Sequence, residues 1–292
     1  MVADVDAWKR RWGAGQWAAF FEHQALPVLG RSKVLLAGLE EAQGDLLSPK
    51  DLSDIVLQDP MLCLCLLREA ERRKSRRLSH ETTTALAAIL QLGVNEFRTL
   101  LLSSPPLDES NKGLVKVATR ACLAAEIARI WSVGRMDLNP EEVAVAALLA
   151  GTGDLLLWVY AAEVPLKAEA ELRAGRAHRS AQAQIQACGF TFKELTLQCA
   201  ERWKLPALVI QLLRGAETLR ARLTRICSNT ARHVLDESET STLALANDLI
   251  EAAALIPNAS VEWLVDGLVM LSDERRAPLL LTTHSLMNSQ AD

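Results

Sequence analysis

Apolar residues recur along this chain at spacings of three and four, and no segment alternates polar and apolar positions over the length of a strand. That periodicity predicts an all-α protein. Trp8, Trp12, Trp17, Phe20 and Phe21 fall near helical spacing within residues 4–22, which predicts a first helix docked on the domain rather than a partner-binding arm. Leu26-Pro27-Val28-Leu29 opens an apolar segment running toward Gly44. Ser48-Pro49-Lys50-Asp51 then carries a capping hydroxyl, a proline at the first helical position and an early carboxylate, the marks of a helix start. Asp59 precedes Pro60 and is pushed out of the α region, so one helix ends there and the next begins. Ser79 is expected to cap the helix carrying Leu86, Ile89 and Leu90, with Gly93 as punctuation. Long helical patterns follow over 112–132, 165–174, 178–188, 191–203, 216–236, 240–255 and 259–272, with Asn139-Pro140 and Asn258–Glu262 as further starts. One place breaks the rule of uninterrupted apolar stripes. Between Leu148-Leu149 and Leu155-Leu156-Leu157 stands Ala150-Gly151-Thr152-Gly153-Asp154, where two glycines imply a sharp backbone turn, the usual setting of a site.

Composition narrows the class. The chain has 292 residues, half of them apolar, with a formal net charge of −4. This is a globular composition, with no general attraction to nucleic acid or anionic lipid. Charged or polar residues are expected to interrupt each apolar run before it spans a bilayer, and the N-terminus lacks the basic-then-apolar order of a secretory signal. The six cysteines lie inside apolar helical patterns and match neither a disulfide framework nor a zinc site. They read as small reduced hydrophobes in a cytoplasmic protein.

Candidate chemistry is sparse. No P-loop, strand-to-helix glycine fingerprint or nucleophile elbow is present. The five histidines, His23, His80, His178, His233 and His284, are scattered, and no His-Asp dipeptide occurs. Arg68 to Arg77 holds six positive charges against two negative. Arg72, Arg73, Lys74, Arg76 and Arg77 are therefore candidate contacts for a partner or a phosphate, although a solvated helix end fits the same pattern. Asp154, beside the broken helix, reads as a cap for the turn that follows.

The order of these features resembles the HDOD family, the HD-related output domains of bacterial signalling proteins. The resemblance runs from about Leu26 to past Leu271. In the first lobe it rests on Leu26-Pro27, Ile55-Val56-Leu57-Gln58-Asp59-Pro60, Leu66-Leu67-Arg68 and Leu90-Gln91-Leu92-Gly93. In the second it rests on Ala147-Leu148-Leu149 with Gly153, and on Ala200-Glu201-Arg202-Trp203-Lys204-Leu205-Pro206. It implies that Asp59, Pro60, Gly93, Trp203, Leu205 and Pro206 are structural. Catalytic HD proteins hold divalent metal with a His-Asp pair and outlying histidines. Aligned on the leucines, that pair falls on Ala150-Gly151 and the lysine that often follows it on Asp154. The outlying ligands fall near Arg120, Phe192 and Gly215-Ala216. Alanine, glycine and phenylalanine offer a metal no lone pair. Ala150, Gly151, Gly153 and Asp154 thus mark a vestigial HD position with no metal and no cofactor. The loop Glu71–Arg77 also departs from the family pattern, being shorter and basic.

The resemblance implies two helical lobes, the second an HD-like bundle without metal ligands. The expected organisation is an N-terminal helix (1–25), a helical lobe (26–104), a linker (105–111, within the Pro105-Pro106 stretch), an HD-like lobe (112–280) and a polar tail (281–292). The expected function is a non-catalytic signal-transduction module that is not an enzyme and works through signalling protein partners, without membrane insertion or nucleic acid. A nucleotide or small-ligand sensor, using the vestigial cleft or the basic loop, is the second reading. A metal-dependent phosphohydrolase ranks last.

Overall fold

The structure is a computed structural model, and it describes residues 9–44, 46–74, 81–236 and 238–289. After a short 3-10 turn at Lys9–Arg11 come α1 (Ala14–Glu22), α2 (Gly30–Gln43), α3 (Pro49–Val56), α4 (Pro60–Arg73), α5 (Ala85–Leu92), α6 (Val94–Ser103) and α7 (Lys112–Ser132). Then follow α8 (Pro140–Leu149), α9 (Thr152–Tyr160), α10 (Glu163–Arg173), α11 (Ser180–Cys188), α12 (Phe192–Arg202) and α13 (Ala207–Arg214). The chain ends with α14 (Leu219–Val234), α15 (Glu239–Leu255), α16 (Val261–Asp266) and α17 (Asp273–Ser289). The fold is all-α, as an HD-like helical domain requires. An isolated parallel bridge joins Val28 and Pro106.

Two compact units interleave along the sequence: Met1–Thr119 with Leu149–Ile210, and Arg120–Leu148 with Gln211–Asp292. They do not divide at the Pro105-Pro106 stretch. Proline has no N–H to donate, but its carbonyl still accepts. Val28 N donates to Pro105 O at 2.9 Å, and Leu107 N donates to Val28 O at 2.8 Å. Lys33 Nζ adds bonds to the carbonyls of Leu102 and Ser104. The expected linker is thereby fastened inside the first unit.

Local signals place several helix starts in that unit. Ser48 Oγ accepts from Lys50 N, with Pro49 at the first helical position. Thr191 Oγ1 accepts from Glu194 N. The expected cap Ser79 lies outside the described residues, and the start of α5 is capped by Thr84, which accepts from Ala87 N at 3.1 Å. Gly93 has φ +92, a backbone conformation L side chains avoid, and α5 and α6 meet there at 104°. Trp8 is outside the described residues. The first helix does dock: α1 packs on α12, burying Trp17 and Phe21. Trp12, Trp17, Phe20, Phe21 and Tyr160 form a continuous ring cluster, which adds edge-to-face contacts to simple burial.

In the second unit Trp131 is fully buried and its indole N–H donates to Leu264 O at 3.1 Å. His233 Nδ1 and Asp248 Oδ2 are 2.6 Å apart, and Arg275 donates to the carbonyls of Val234, His233 and Asp236. The expected helix at 259–272 is shorter, Val261–Asp266, capped by Ser260. The expected tail is helical through Ser289. Leu279 and Thr283, four residues apart, are buried and hold that helix down.

Residues 140–160 are long and apolar enough to cross a membrane by length and composition, so charge does not interrupt every run. Their most apolar window is 72% buried inside the protein. Packing accounts for the apolarity.

Candidate functional site: the broken helix at Ala150–Asp154

α8 stops at Leu149 and α9 starts at Thr152. Between them Gly151 has φ −97 and ψ 13, a region open to side chains. The turn therefore does not require a glycine at 151, contrary to the sequence expectation. Gly153 is the constrained position, for a different reason. A Cβ there would stand 2.5 Å from the Phe192 carbonyl oxygen and 2.9 Å from Thr196 N. Helix α9 passes so close to α12 that backbone meets backbone. The absence of a side chain is what permits the crossing.

Hydroxyls satisfy the backbone groups that the break leaves over. Thr152 Oγ1 donates to Leu149 O at 2.7 Å. Gly153 N, one of the helix-start donors without a partner in its own helix, donates to Thr196 Oγ1 at 2.9 Å, and that hydroxyl donates to Phe192 O at 2.9 Å. Asp154 lies in the first turn of α9, where the helix dipole favours a carboxylate. It is not the cap: that position is Gly151, with no side-chain capping bond. Leu155, Leu156 and Leu157 carry the helix into the core.

The structure brings together two positions that the sequence assigned to separate family ligands, the Ala150–Gly153 turn and Phe192. Neither supplies a donor. Phe192 is buried at the first turn of α12, and its contribution at the crossing is its main-chain oxygen. Among the described residues no group of three His, Cys, Asp or Glu side chains is arranged to hold a metal ion. The residues present do not fit a catalytic metal, because hydrocarbon and backbone occupy the places its ligands would need.

Three cations of the basic run, Arg72, Arg73 and Lys74, are matched by acids. Arg72 Nε and Nη2 each bond Glu69 at 2.8 Å, and Arg73 reaches Glu69 at 2.5 Å and Glu96 at 3.0 Å. Lys74 pairs with Glu71 at 3.3 Å. The hydrogen bond from Arg72, joined by Arg73, holds the Glu69 carboxyl below its usual range. Arg76 and Arg77 lie outside the described residues. Arg68 sits over the Trp203 ring at 5.7 Å, a cation–π contact.

The family-pattern residues have structural work. Asp59 is fully buried and caps α4: Oδ1 accepts from Met61 N and Leu62 N, both at 3.0 Å. Its Oδ2 accepts from Leu29 N at 2.8 Å and Ser32 Oγ at 2.7 Å. Burial pushes this carboxyl up from its ordinary value, and the four donors pull against that push. Lys204 takes φ 55 after Trp203, letting Leu205 N reach Ala200 O at 2.9 Å before Pro206 leads into α13. Glu81 Oε2 accepts from Leu208 N at 3.1 Å, a helix-start bond from 127 residues away that no local pattern signals. Thr196 was likewise missed, because its partner Gly153 is 43 residues distant.

The sequence matches the HDOD domain over residues 31–218. The chain belongs to the HDOD family. Among solved structures, a virulence factor of Campylobacter jejuni superposes with TM-score 0.68 at 15% identity, covering 90% of this chain and 98% of that one. The MmoQ response regulator of Methylococcus capsulatus superposes with TM-score 0.57 at 19% identity, covering 88% and 98%. At these identities the likeness shows the fold. No curated protein sequence matches the chain.

Proposed function

We propose that this chain is a non-catalytic signal-transduction module that acts in the cytoplasm by contacts with signalling proteins. One observation carries the reading. Where the family resemblance places a metal-binding His-Asp pair, the chain has Ala150-Gly151, and the adjacent Gly153 is closed against α12 by backbone contact. A hydrolase of this class needs an open, donor-lined position for metal and water. A sealed helix crossing serves rigidity, which suits a protein recognised through its surface. Membership of a family of output domains agrees with this reading.

The test uses the full chain purified from its host. Elemental analysis is expected to find no stoichiometric Mn, Fe or Zn, and added Mn²⁺ is expected to give no hydrolysis of 4-nitrophenyl phosphate or its diester. Bound metal together with turnover that is lost in Asp154→Asn overturns the reading. Cross-linking in host extract, followed by reconstitution from purified components, is expected to yield a defined protein complex.

A further inference from the structure

A groove of about 410 Å³ opens in the first unit where the start of α7 faces α9 and α10. Trp158, Ala162 and Leu166 give it an apolar floor, Lys112 and Lys116 form one wall, and Glu169 stands at its margin. The floor is built with care. A Cβ on Gly113 would stand 2.2 to 2.4 Å from three atoms of the Trp158 ring, so the indole lies directly on the α7 backbone. Asn111 fixes both elements, donating to Trp158 O at 3.2 Å and accepting from Leu114 N at 3.2 Å.

The charges around this floor are unbalanced. Lys112 and Lys116 are four residues apart on the first turns of α7, so their ammonium groups share a face. Like charges at that spacing repel, and the positive end of the helix dipole adds to the repulsion. Neither ammonium has an ion-pair or hydrogen-bond partner among the described residues. Glu169 does not answer them alone, since it lies 3.6 Å from Arg173. The basic run on α4 is the contrast: three of its cations pair with Glu69, Glu71 and Glu96. Two unmatched cations over a tryptophan-lined apolar floor make a surface complementary to a doubly charged anion with a hydrophobic body. The volume falls in the range of small-molecule sites, about 300–1,000 Å³.

We propose that this groove binds a phosphate monoester carrying an apolar or aromatic body. The dianion sits between Lys112 and Lys116, and the body lies on Trp158, Ala162 and Leu166. This is a different surface from both the broken helix and the basic run that the sequence offered for a ligand. It stands apart from the protein-contact reading, whose metal and hydrolysis assays do not depend on it.

Calorimetric titration of the full chain at low salt, with phenyl phosphate, adenosine monophosphate and inorganic phosphate as probes, decides it. Saturable one-to-one binding of the two esters is expected, with inorganic phosphate weaker by about tenfold or more because it lacks the body. The double variant Lys112→Gln/Lys116→Gln is expected to weaken the esters by about tenfold or more. Both lysines are exposed, so its unfolding midpoint should stay at or above that of the parent. Raising the ionic strength should weaken ester binding as well. Absence of saturable ester binding up to about 10 mM overturns the proposal. So does equal affinity of inorganic phosphate, or ester binding that survives in a folded double variant.

Discussion

Two helix junctions solve one problem by opposite means. At Gln58–Pro60 the chain passes from α3 to α4 through a buried carboxylate. At Ala150–Gly153 it passes from α8 to α9 with no charged group at all. Asp59 collects four donors from two segments of chain, the starts of α2 and α4, so one side chain serves as cap and as cross-brace. The second junction dispenses with a side chain at Gly153 and lets α12 supply both the hydroxyl and the close backbone. A junction made by a side chain leaves its signature in the sequence, because Asp-Pro is a local rule. A junction made by the lack of one does not.

The comparison predicts how each junction fails. Asp59→Ala leaves four buried donors unmet and should cost on the order of 4 kcal/mol, the largest effect expected here. Asp59→Asn keeps one acceptor oxygen and should lose less. Equal losses from the two variants, measured by denaturant unfolding, would break the account of Asp59 as an acceptor hub. Gly153→Ala forces a methyl against the Phe192 carbonyl and should cost about 2–3 kcal/mol. Gly151→Ala, at a conformation open to side chains, should cost under about 1 kcal/mol in the same assay. Inverting that order would show that the turn, rather than the crossing, needs glycine. Thr196→Val removes the acceptor for Gly153 N and should cost about 1–2 kcal/mol.

The smallest expected effect tests the buried thiols. Burial pushes Cys65 and Cys199 up to about 12, and Cys227 higher still. In the unfolded chain a thiol ionises near pH 8.5. The stabilising difference is therefore fully present below that pH and is lost as pH rises toward the folded values, since only the unfolded chain then releases the proton. The thermal midpoint should fall between about pH 9 and 11, and Cys65→Ala should make that fall shallower. A slope unchanged by the substitution would remove Cys65 from the account. Under native conditions at neutral pH, thiol reagents should reach Cys122 and Cys188, which are partly exposed, before the four buried cysteines.

Much of the fold was legible in the chain. Helix starts at Ser48-Pro49, Asp59-Pro60, Asn139-Pro140 and Ser260 follow from capping and proline chemistry, which act within four residues. The last helix escaped notice because Pro278 interrupts its pattern and its buried positions are few, Leu279 and Thr283 among them. The candidate site was half legible. The residues that cannot hold a metal are visible as letters, whereas Thr196, Glu81 and the seating of Trp158 on Gly113 join positions dozens of residues apart.

By itself, then, the sequence determined the helical class, most helix boundaries, the family likeness and the absence of a His-Asp dipeptide, because each depends on side-chain identity or short-range spacing. Only the tertiary structure decided that Gly153 is needed for a crossing, that three cations of the basic run are matched by acids, and that two lysines elsewhere are not matched among the described residues. Those outcomes depend on which distant segments arrive at each residue. Local rules leave that open, and packing settles it.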